Sequence, residues 1–253
     1  MSNSITLINH ATILLRLGSI NLLTDPILTR TVSFILPRLQ KAGLSFEELP
    51  PIHSVLISHN HYDHLNLKTL RRIRRTFSPI VVFPTGVARY GRRVGFKKVV
   101  ELGWGESFSN DGMTITCVPA KHFSGRLPWD RNRSLFCGYV IQANGCTVYF
   151  AGDSGYAPFF RELGKLFAID VALLPIGAYR PQQWFKGIHM SPGEAVQAFL
   201  DLGAKHFIPI HWGTFKISDE PMSEPPILVR QEALAKGVED RVHILRNGET
   251  FSS

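Results

Sequence analysis

One short motif constrains this chain more than any other feature of its sequence. An apolar run at 55–57 leads directly into a polar segment with four ligand-type side chains: His59, His61, Asp63 and His64. A β-branched apolar run that enters a polar turn indicates a buried strand ending at an exposed edge. Imidazole nitrogen and carboxylate oxygen both bind Zn²⁺ and similar cations. Because one tetrahedral ion cannot comfortably use four such ligands in so short a loop, the motif favours two ions. The alternative is a surface loop that is merely rich in histidine.

Three further residues repeat this pattern elsewhere in the chain. Each is a ligand-type side chain that closely follows an apolar, strand-like run: His122 after 113–118, Asp153 after 147–152, and His211 after 206–210. Any one of them alone is more often a capping or surface residue. Three repeats of the same pattern indicate that these residues complete the metal site.

Five sequence blocks resemble the N-acyl-phosphatidylethanolamine phospholipase D group of the metallo-β-lactamase superfamily. They occur in the order of that family and span nearly the whole chain: 24–27, 56–65, 150–156, 175–179 and 210–215. The resemblance implies an α/β fold, the αββα sandwich, with two mixed sheets face to face, helices outside and metals at one edge. Since the sequence shows no repeat and no linker, we predict one hydrolase domain over residues 1–253.

The same resemblance implies how seven ligands divide between two divalent metal ions. One ion would be held by His59, His61 and His122, the other by Asp63, His64 and His211, with Asp153 bridging them. Zn²⁺ is the first expectation, and Fe²⁺ and Mn²⁺ also suit such ligands. Oxygen-reducing diiron relatives carry Glu at the second ligand position. The histidine at that position here therefore favours a hydrolase.

Two further residues are predicted to contact the substrate. His189 matches a histidine of the phospholipase group and precedes a predicted helix start at Ser191. Free N–H groups at a helix start favour phosphate. We therefore assign His189 to catalysis, through the substrate phosphate or the leaving group, with a purely structural histidine as the alternative. Tyr179, in the preceding loop, is predicted to line the substrate pocket.

His10 and Asp25 each allow two interpretations. His10 is predicted to be a core histidine or to support a ligand, rather than to bind metal itself. Asp25 follows a strand and precedes Pro26. It either orients a metal-bound imidazole, as carboxylates around metal sites do, or is an ordinary turn residue.

Charge and cysteine content limit the partners and the compartment. The chain has 28 basic and 20 acidic residues, a formal charge of +8, which suits a phospholipid surface, nucleic acid or a phosphorylated metabolite. Cys117, Cys137 and Cys146 are odd in number and lie in apolar runs, so we expect reduced core residues and a cytoplasmic protein. A strand at 5–8 leaves no room for a signal peptide, and no apolar run reaches the roughly 20 residues of a membrane span.

The segment 27–40 is unusually apolar for a loop. Its apolar residues are flanked by Arg30, Arg38 and Lys41. Such a patch rimmed by positive charge can contact an anionic membrane, here peripherally on the inner face. The alternative is ordinary core packing across the edge of the sandwich. The apolar residues are Ile27, Leu28, Val32, Phe34, Ile35, Leu36 and Leu39.

Hydrophobic periodicity and turn signals predict the other elements. The predicted strands are 5–8, 11–17, 20–23, 80–83, 98–101, 113–118, 135–142, 145–151, 170–174, 206–210 and 242–245. The predicted helices are 66–76, 86–93, 157–166, 191–202 and 224–236. Segment 119–134, rich in Pro and Gly, is predicted to form a loop over the site.

Three functions follow from these observations. The first is a phosphodiesterase of phospholipase D type, acting on glycerophospholipids and their N-acyl forms. The second is a lactonase or phosphodiesterase for a small soluble phosphorylated metabolite. The third is a non-catalytic nucleic-acid-binding protein with a structural metal. It is the weakest, because seven ligands exceed the needs of a closed structural site and no aromatic or Gly-rich signature lies near the charge. We therefore predict no nucleic-acid partner.

Overall fold

The computed structural model describes residues 2–33 and 35–252. The strands of this part of the chain are β1 Ser4–Asn9, β2 Thr12–Leu17, β3 Ile20–Thr24, β4 Thr31–Val32, β5 Leu36–Pro37, β6 Ser54–Leu56, β7 Ile80–Pro84, β8 Lys98–Leu102, β9 Ser107–Asn110, β10 Met113–Val118, β11 Gly138–Ala143, β12 Cys146–Phe150, β13 Val171–Pro175, β14 His206–Ile210 and β15 Thr250–Ser252. The helices are α1 Leu67–Thr76, α2 Ala88–Val94, α3 Phe159–Leu166, α4 Gln182–Phe185, α5 Pro192–Leu202 and α6 Glu224–Ala235. No helix within the described ranges is long and apolar enough to cross a bilayer.

The strands form two large sheets and one small hairpin. The first sheet has the order β15-β1-β2-β3-β6-β7-β8, and the second has the order β14-β13-β12-β11-β10-β9. Strands β3, β6, β7 and β8 run parallel, as do β12, β13 and β14. The other pairings in the two sheets are antiparallel, so both sheets are mixed.

Most central strands are apolar on both faces because both faces are covered. In β6, Leu56 packs into the cluster between the sheets, while Val55 packs against α1 and α2. In β12, Phe150 packs between the sheets, and Tyr149 packs against α3 and α5. The layers are therefore helix, sheet, sheet, helix, which confirms the αββα fold class.

Helix starts follow the local capping signals. The Asn66 side chain accepts a hydrogen bond from Thr69 N at the start of α1, and Ser191 and Glu194 form a capping box at the start of α5. Each side-chain oxygen satisfies a backbone N–H that the helix leaves without a partner.

The three cysteines are free and buried, as expected.

Three strands of the second sheet end at the same edge. Strands β10, β12 and β14 point the same way, and His122, Asp153 and His211 follow their ends. The loop after β6 joins them from the first sheet, because Ser58 O accepts a hydrogen bond from Cys137 N and Ile57 O accepts one from Tyr139 Oη. All seven predicted metal ligands therefore lie along one edge of the sandwich.

The predicted strand at 242–245 is wrong. Val242 makes only an isolated bridge to Phe207, and residues 243–246 are irregular. The strand that pairs with the outer edge of β1, opposite β2, is β15, which follows the turn at Gly248. An apolar run alone does not reveal which neighbour has a free edge, so the pattern pointed to the wrong segment.

Segment 27–40 divides into a buried part and an exposed part. Ile27 and Val32 are buried against Phe215, while Ile35 is 85% exposed beside the short hairpin of β4 and β5. Arg38 donates hydrogen bonds to the carbonyls of Ile27 and Thr29, so its charge is used within the fold. Phe34 lies outside the described residues.

Candidate metal centre

The first candidate cluster brings three imidazoles together. His59 Nε2 lies 2.8 Å from His61 Nδ1, which lies 3.2 Å from His122 Nε2. The carboxylate of Asp153 adjoins them, with Oδ2 3.9 Å from His59 Nε2 and 3.7 Å from His122 Nε2. The four ligand atoms lie within 4.8 Å of one another, close enough to contact one ion.

The second cluster lies beside the first and shares one of its residues. Asp63 Oδ2 is 3.5 Å from both His64 Nε2 and His211 Nε2, which lie 3.2 Å apart. Asp153 places Oδ2 3.2 Å from His64 Nε2 and Oδ1 3.1 Å from His211 Nε2. The structure thus brings all seven predicted ligands into two adjoining groups, with Asp153 between them.

Outer hydrogen bonds determine which ring nitrogens face the centre. His122 Nδ1 lies 2.8 Å from Ile188 O, and because a carbonyl can only accept, this nitrogen carries the proton. Ser58 Oγ donates to Asp25 at 2.5 Å, so it accepts from His59 Nδ1 at 2.9 Å. The Nε2 atoms of these two imidazoles therefore direct lone pairs inward.

Asp25 is linked by hydrogen bonds to a candidate ligand in each cluster. Its Oδ2 lies 2.7 Å from His64 Nδ1 and also accepts from the Ser58 hydroxyl that holds His59. Its Oδ1 accepts from Ser58 N at 2.7 Å. Burial raises the pKa of Asp25, and the bonds from His64 and Ser58 oppose that rise. The structure favours the orienting interpretation of Asp25 over that of a simple turn residue.

Converging lone pairs repel each other unless a cation lies among them. The nitrogen separations of 2.8–3.2 Å are close to the roughly 3.4 Å between tetrahedral ligands with bonds of about 2.1 Å. Burial lowers the pKa of His59 well below its ordinary value and those of His61 and His122 to about 4. These imidazoles are therefore neutral near pH 7, the state that binds metal, and the donor set fits such an ion.

In the second cluster, the need for positive charge shows as raised pKa values of two histidines. Burial alone would lower the pKa of His64 and His211, but the neighbouring Asp153 carboxylate reverses this. The pKa of His64 is held well above its usual range, and that of His211 rises to about 9. The buried carboxylate of Asp153 and the half-buried one of Asp63 thus call for cations, which divalent metal would supply.

Left-handed backbone conformations help to aim the site residues. His10, Asp25 and His211 have φ of 46°, 34° and 60°, values that L-residues rarely adopt. Gly152, just before Asp153, has φ 60°, and a Cβ there would lie 2.6 Å from Ser58 Cβ. Sequence patterns give no signal for the three non-glycine residues, whereas the glycine is required by this close approach.

His10 lies at the edge of the second cluster. Its Nε2 is 3.1 Å from Asp63 Oδ2, and its ring centre is 3.9 Å from that of His211. Burial lowers its pKa to about 3, so the ring is neutral. This position suits a residue that supports Asp63, although His10 also lies within ligand distance of that cluster.

A cavity of about 290 Å³ opens beside both clusters. His189 lines it, and burial lowers the pKa of His189 to about 3. Tyr179 does not line this cavity, in contrast to the predicted position, because its hydroxyl donates to the Glu224 carboxylate instead. The lining residues are His61, Asp63, His122, Phe123, Arg131, Asp153, Trp184, Phe185, Ile188, His189 and Ile217.

Arg126, which sequence reasoning missed, ties the loop at 119–134 to the metal loop at 58–65. Its Nη1 donates to the carbonyls of Asn60 at 2.9 Å and Leu65 at 2.8 Å, and its guanidinium lies 3.9 Å from the Tyr62 ring centre. In return, Asn60 Oδ1 accepts from Gly125 N at 2.7 Å. No sequence motif marks this arginine, since its partners are backbone carbonyls.

The base of that loop is closed by hydrogen bonds. Ser124 O accepts from Asn132 N at 2.8 Å, and Ser124 Oγ donates to Ser134 O at 2.5 Å. The tip beyond this closure carries Trp129, which is 66% exposed. The predicted loop over the site is therefore anchored at its base and open at its tip.

Comparison with known proteins places this fold and site in a family. A family model described as a beta-lactamase superfamily domain matches residues 20–212. A metal-dependent hydrolase of Methanopyrus kandleri is 31% identical over 250 residues, covering 98% of each chain. The chain therefore belongs to the metallo-β-lactamase superfamily and is a metal-dependent hydrolase of that superfamily.

Two further comparisons refine this placement. An N-acyl-phosphatidylethanolamine-hydrolyzing phospholipase D of Caenorhabditis elegans is 35% identical over 226 residues, covering 83% of this chain and 64% of that protein. The chain spans 60–64% of the length of the curated relatives that it matches at 35–37% identity. A metallo hydrolase of Ignicoccus hospitalis, 22% identical, has the same fold with a TM-score of 0.75 over 100% of this chain and 99% of the other.

Proposed function

We propose that this chain is a dinuclear phosphodiesterase of phospholipase D type that acts on glycerophospholipids, including N-acyl forms. It would cleave the phosphorus–oxygen bond on the headgroup side and leave a phosphatidic acid. The observation that carries the proposal is the pair of ligand clusters that share Asp153 and border one cavity. The similarity to the C. elegans phospholipase supports the choice of substrate.

Each cluster would hold one divalent ion, with Zn²⁺ as the first choice and Fe²⁺ or Mn²⁺ as alternatives. Two such ions lower the pKa of a water molecule and polarise a phosphoryl oxygen. The proposed ligands of the first ion are His59, His61 and His122, and those of the second are Asp63, His64 and His211. Asp153 lies between the two groups and would be shared by both ions.

Other cavity residues would bind and orient the substrate. His189 is neutral near pH 7, so its ring N–H can donate a hydrogen bond to a phosphate or leaving-group oxygen without adding charge. Arg131 lines the same cavity, with its guanidinium 4.5 Å from the Phe123 ring centre, and can pair with the phosphodiester charge. Phe123 and Phe185 give the cavity apolar walls suited to the glycerol and acyl part.

Elemental analysis and a substrate panel test this proposal directly. Metal-replete protein should contain about two ions per chain. It should release phosphatidic acid from N-acyl-phosphatidylethanolamine faster than it hydrolyses cyclic nucleotides or lactones. One ion or none per chain would refute the dinuclear centre, and turnover confined to soluble substrates would refute the lipid assignment.

The size of the cavity favours one alternative substrate class. Its volume of about 290 Å³ suits a headgroup or a small molecule better than whole acyl chains. A lactonase or phosphodiesterase for a small soluble phosphorylated metabolite is therefore the second candidate. The substrate panel distinguishes the two candidate functions, because they would use the same metal centre and differ only in the substrate that is hydrolysed.

We also propose a cytoplasmic location with peripheral membrane contact, which Ile35 would make. Ile35→Ser should change the free energy of unfolding by no more than about 0.5 kcal/mol, because the side chain is exposed. It should weaken binding to anionic vesicles by roughly tenfold. This factor corresponds to the transfer free energy of one apolar side chain that no longer enters the interface. Flotation with vesicles and urea unfolding measure the two effects.

Val32→Ser is the matched control on the same hairpin. Val32 is 2% exposed, so this change should destabilise the fold by about 2 kcal/mol and leave the vesicle affinity of the folded protein unchanged. If Ile35→Ser binds vesicles as tightly as the unmodified chain, this hairpin does not contact the membrane.

Asp25→Asn should loosen both ions while the chain stays folded. An amide NH₂ facing His64 Nδ1 would force the proton onto Nε2, where it points at the proposed ion. Loss of such an orienting partner weakens metal binding by about 10–100-fold. Competition with a chelator measures the affinity, and Asp170→Asn, a carboxylate paired with Lys205, is the control. Equal metal retention in the two variants would contradict the orienting role.

A further inference from the structure

A second cavity lies on the other side of the metal loop. Its volume is about 220 Å³, and no residue that lines it also lines the metal cavity. Neighbouring residues of the metal loop line the two cavities. His61 and Asp63 line the metal cavity, while Tyr62 and Leu65 line the second one. The second cavity is thus next to the metal centre but chemically separate from it.

The lining of this cavity combines positive charge with hydroxyl groups. Three cationic side chains contribute to it, Lys68, Arg71 and Arg126, and none of its described lining residues is acidic. The first turn of α1, which carries Lys68, has no acidic residue either. Arg71 makes no ion pair within the described ranges, whereas the next residue along, Arg72, pairs with Glu47. The described lining of this cavity therefore carries a net positive charge.

Hydroxyl groups from two other segments complete the lining. Thr31 and Ser33 come from the hairpin of β4 and β5, and Tyr62 comes from the metal loop. Cations and hydroxyls around one small space are the donors that bind phosphate oxygens. A cavity for a neutral or cationic ligand would not concentrate three positive charges in this way.

We propose that this cavity binds a phosphate group, as free phosphate or as the headgroup phosphate of an anionic phospholipid. Lys68 and Arg71 supply the charge, and Thr31, Ser33 and Tyr62 supply hydroxyl hydrogen bonds. The exposed Ile35 beside Ser33 on the same hairpin places an apolar side chain next to the site, which suits the lipid source. Binding here needs neither the metal ions nor the proposed phosphodiesterase activity.

Phosphate binding to the metal-loaded protein tests the site. We expect Lys68→Gln with Arg71→Gln to bind one inorganic phosphate fewer per chain in equilibrium dialysis, the affinity at this site falling on the order of 100-fold. The charge-matched control is Arg75→Gln with Arg93→Gln, two exposed residues that do not line the cavity. Arg126 is left unchanged because it holds the metal loop.

Vesicles then distinguish the two sources of phosphate. If the ligand is a lipid headgroup, the Lys68 and Arg71 variant should lose binding to vesicles of phosphatidylcholine with phosphatidic acid, and the charge-matched control should keep it. If the ligand is free phosphate, only the dialysis result should change. The proposal is overturned if the two variants behave alike in both assays, and this outcome leaves the metal-centre chemistry unaffected because neither assay measures turnover.

Discussion

Asp153→Ala should lower the metal content from about two ions per chain to one or none. Asp153 borders both clusters, with oxygens 3.1 Å and 3.2 Å from His211 and His64 and within 3.9 Å of His59. Its loss would remove the proposed shared ligand and leave the imidazoles without a neighbouring counter-charge. Turnover should fall on the order of 10³-fold, which corresponds to about 4 kcal/mol of lost transition-state stabilisation.

Elemental analysis, circular dichroism and turnover should be measured together on this variant. Asp170→Ala is the control, because Asp170 is a carboxylate beside β13 that pairs with Lys205 outside the metal centre. The control should keep its metal content and its turnover. A folded Asp153→Ala protein with a full complement of metal would show that this carboxylate does not bridge two ions.

His189→Ala should have the second-largest effect, and it should act on turnover alone. Because His189 lines the cavity and is assigned to the substrate, metal content should stay near that of the unmodified chain. Loss of a positioned proton donor or phosphate contact reduces turnover by roughly 10²–10⁴-fold. Single-turnover kinetics with elemental analysis on the same samples separates the two effects.

The outcome for His189 also decides between two roles. Asp153, His189 and His211 lie close enough together to share an ion, so loss of metal in this variant would make His189 a ligand. Unchanged turnover would make it structural. His243→Ala is the control, since His243 contacts His206 away from the centre and should leave both measurements unchanged.

The sequence indicates the seven candidate ligands, which the structure brings together, because their signal is local. Each candidate ligand lies in a loop that follows a buried strand, and the sheets bring these strand ends to one edge of the sandwich. His59 and Asp153 are therefore recognisable from their own neighbours. The role of Asp25 cannot be recognised from its neighbours in the sequence, because it depends on where Ser58 and His64 lie in three dimensions.

Errors arise where long-range packing decides the outcome. Strand β15 pairs with β1 from the far end of the chain, and no local pattern distinguishes it from the apolar run at 242–245. The same limit applies to 27–40, where burial of Val32 depends on Phe215, nearly two hundred positions later. The pattern around Tyr179 predicts a place in the pocket and cannot reveal its partner Glu224, which comes from α6.

The hydrogen bonds that close the base of the loop at 119–134 separate the exposed part of the loop from the part that carries His122. His122 lies before the closure made by Ser124, Asn132 and Ser134, and the exposed tip with Trp129 lies beyond it. Changes around Trp129 therefore leave the backbone of His122 in place, whereas Arg126, which also lies beyond the closure, must be kept because it holds the metal loop. Members of one lineage can therefore exchange the exposed part of this loop while inheriting the same candidate metal centre.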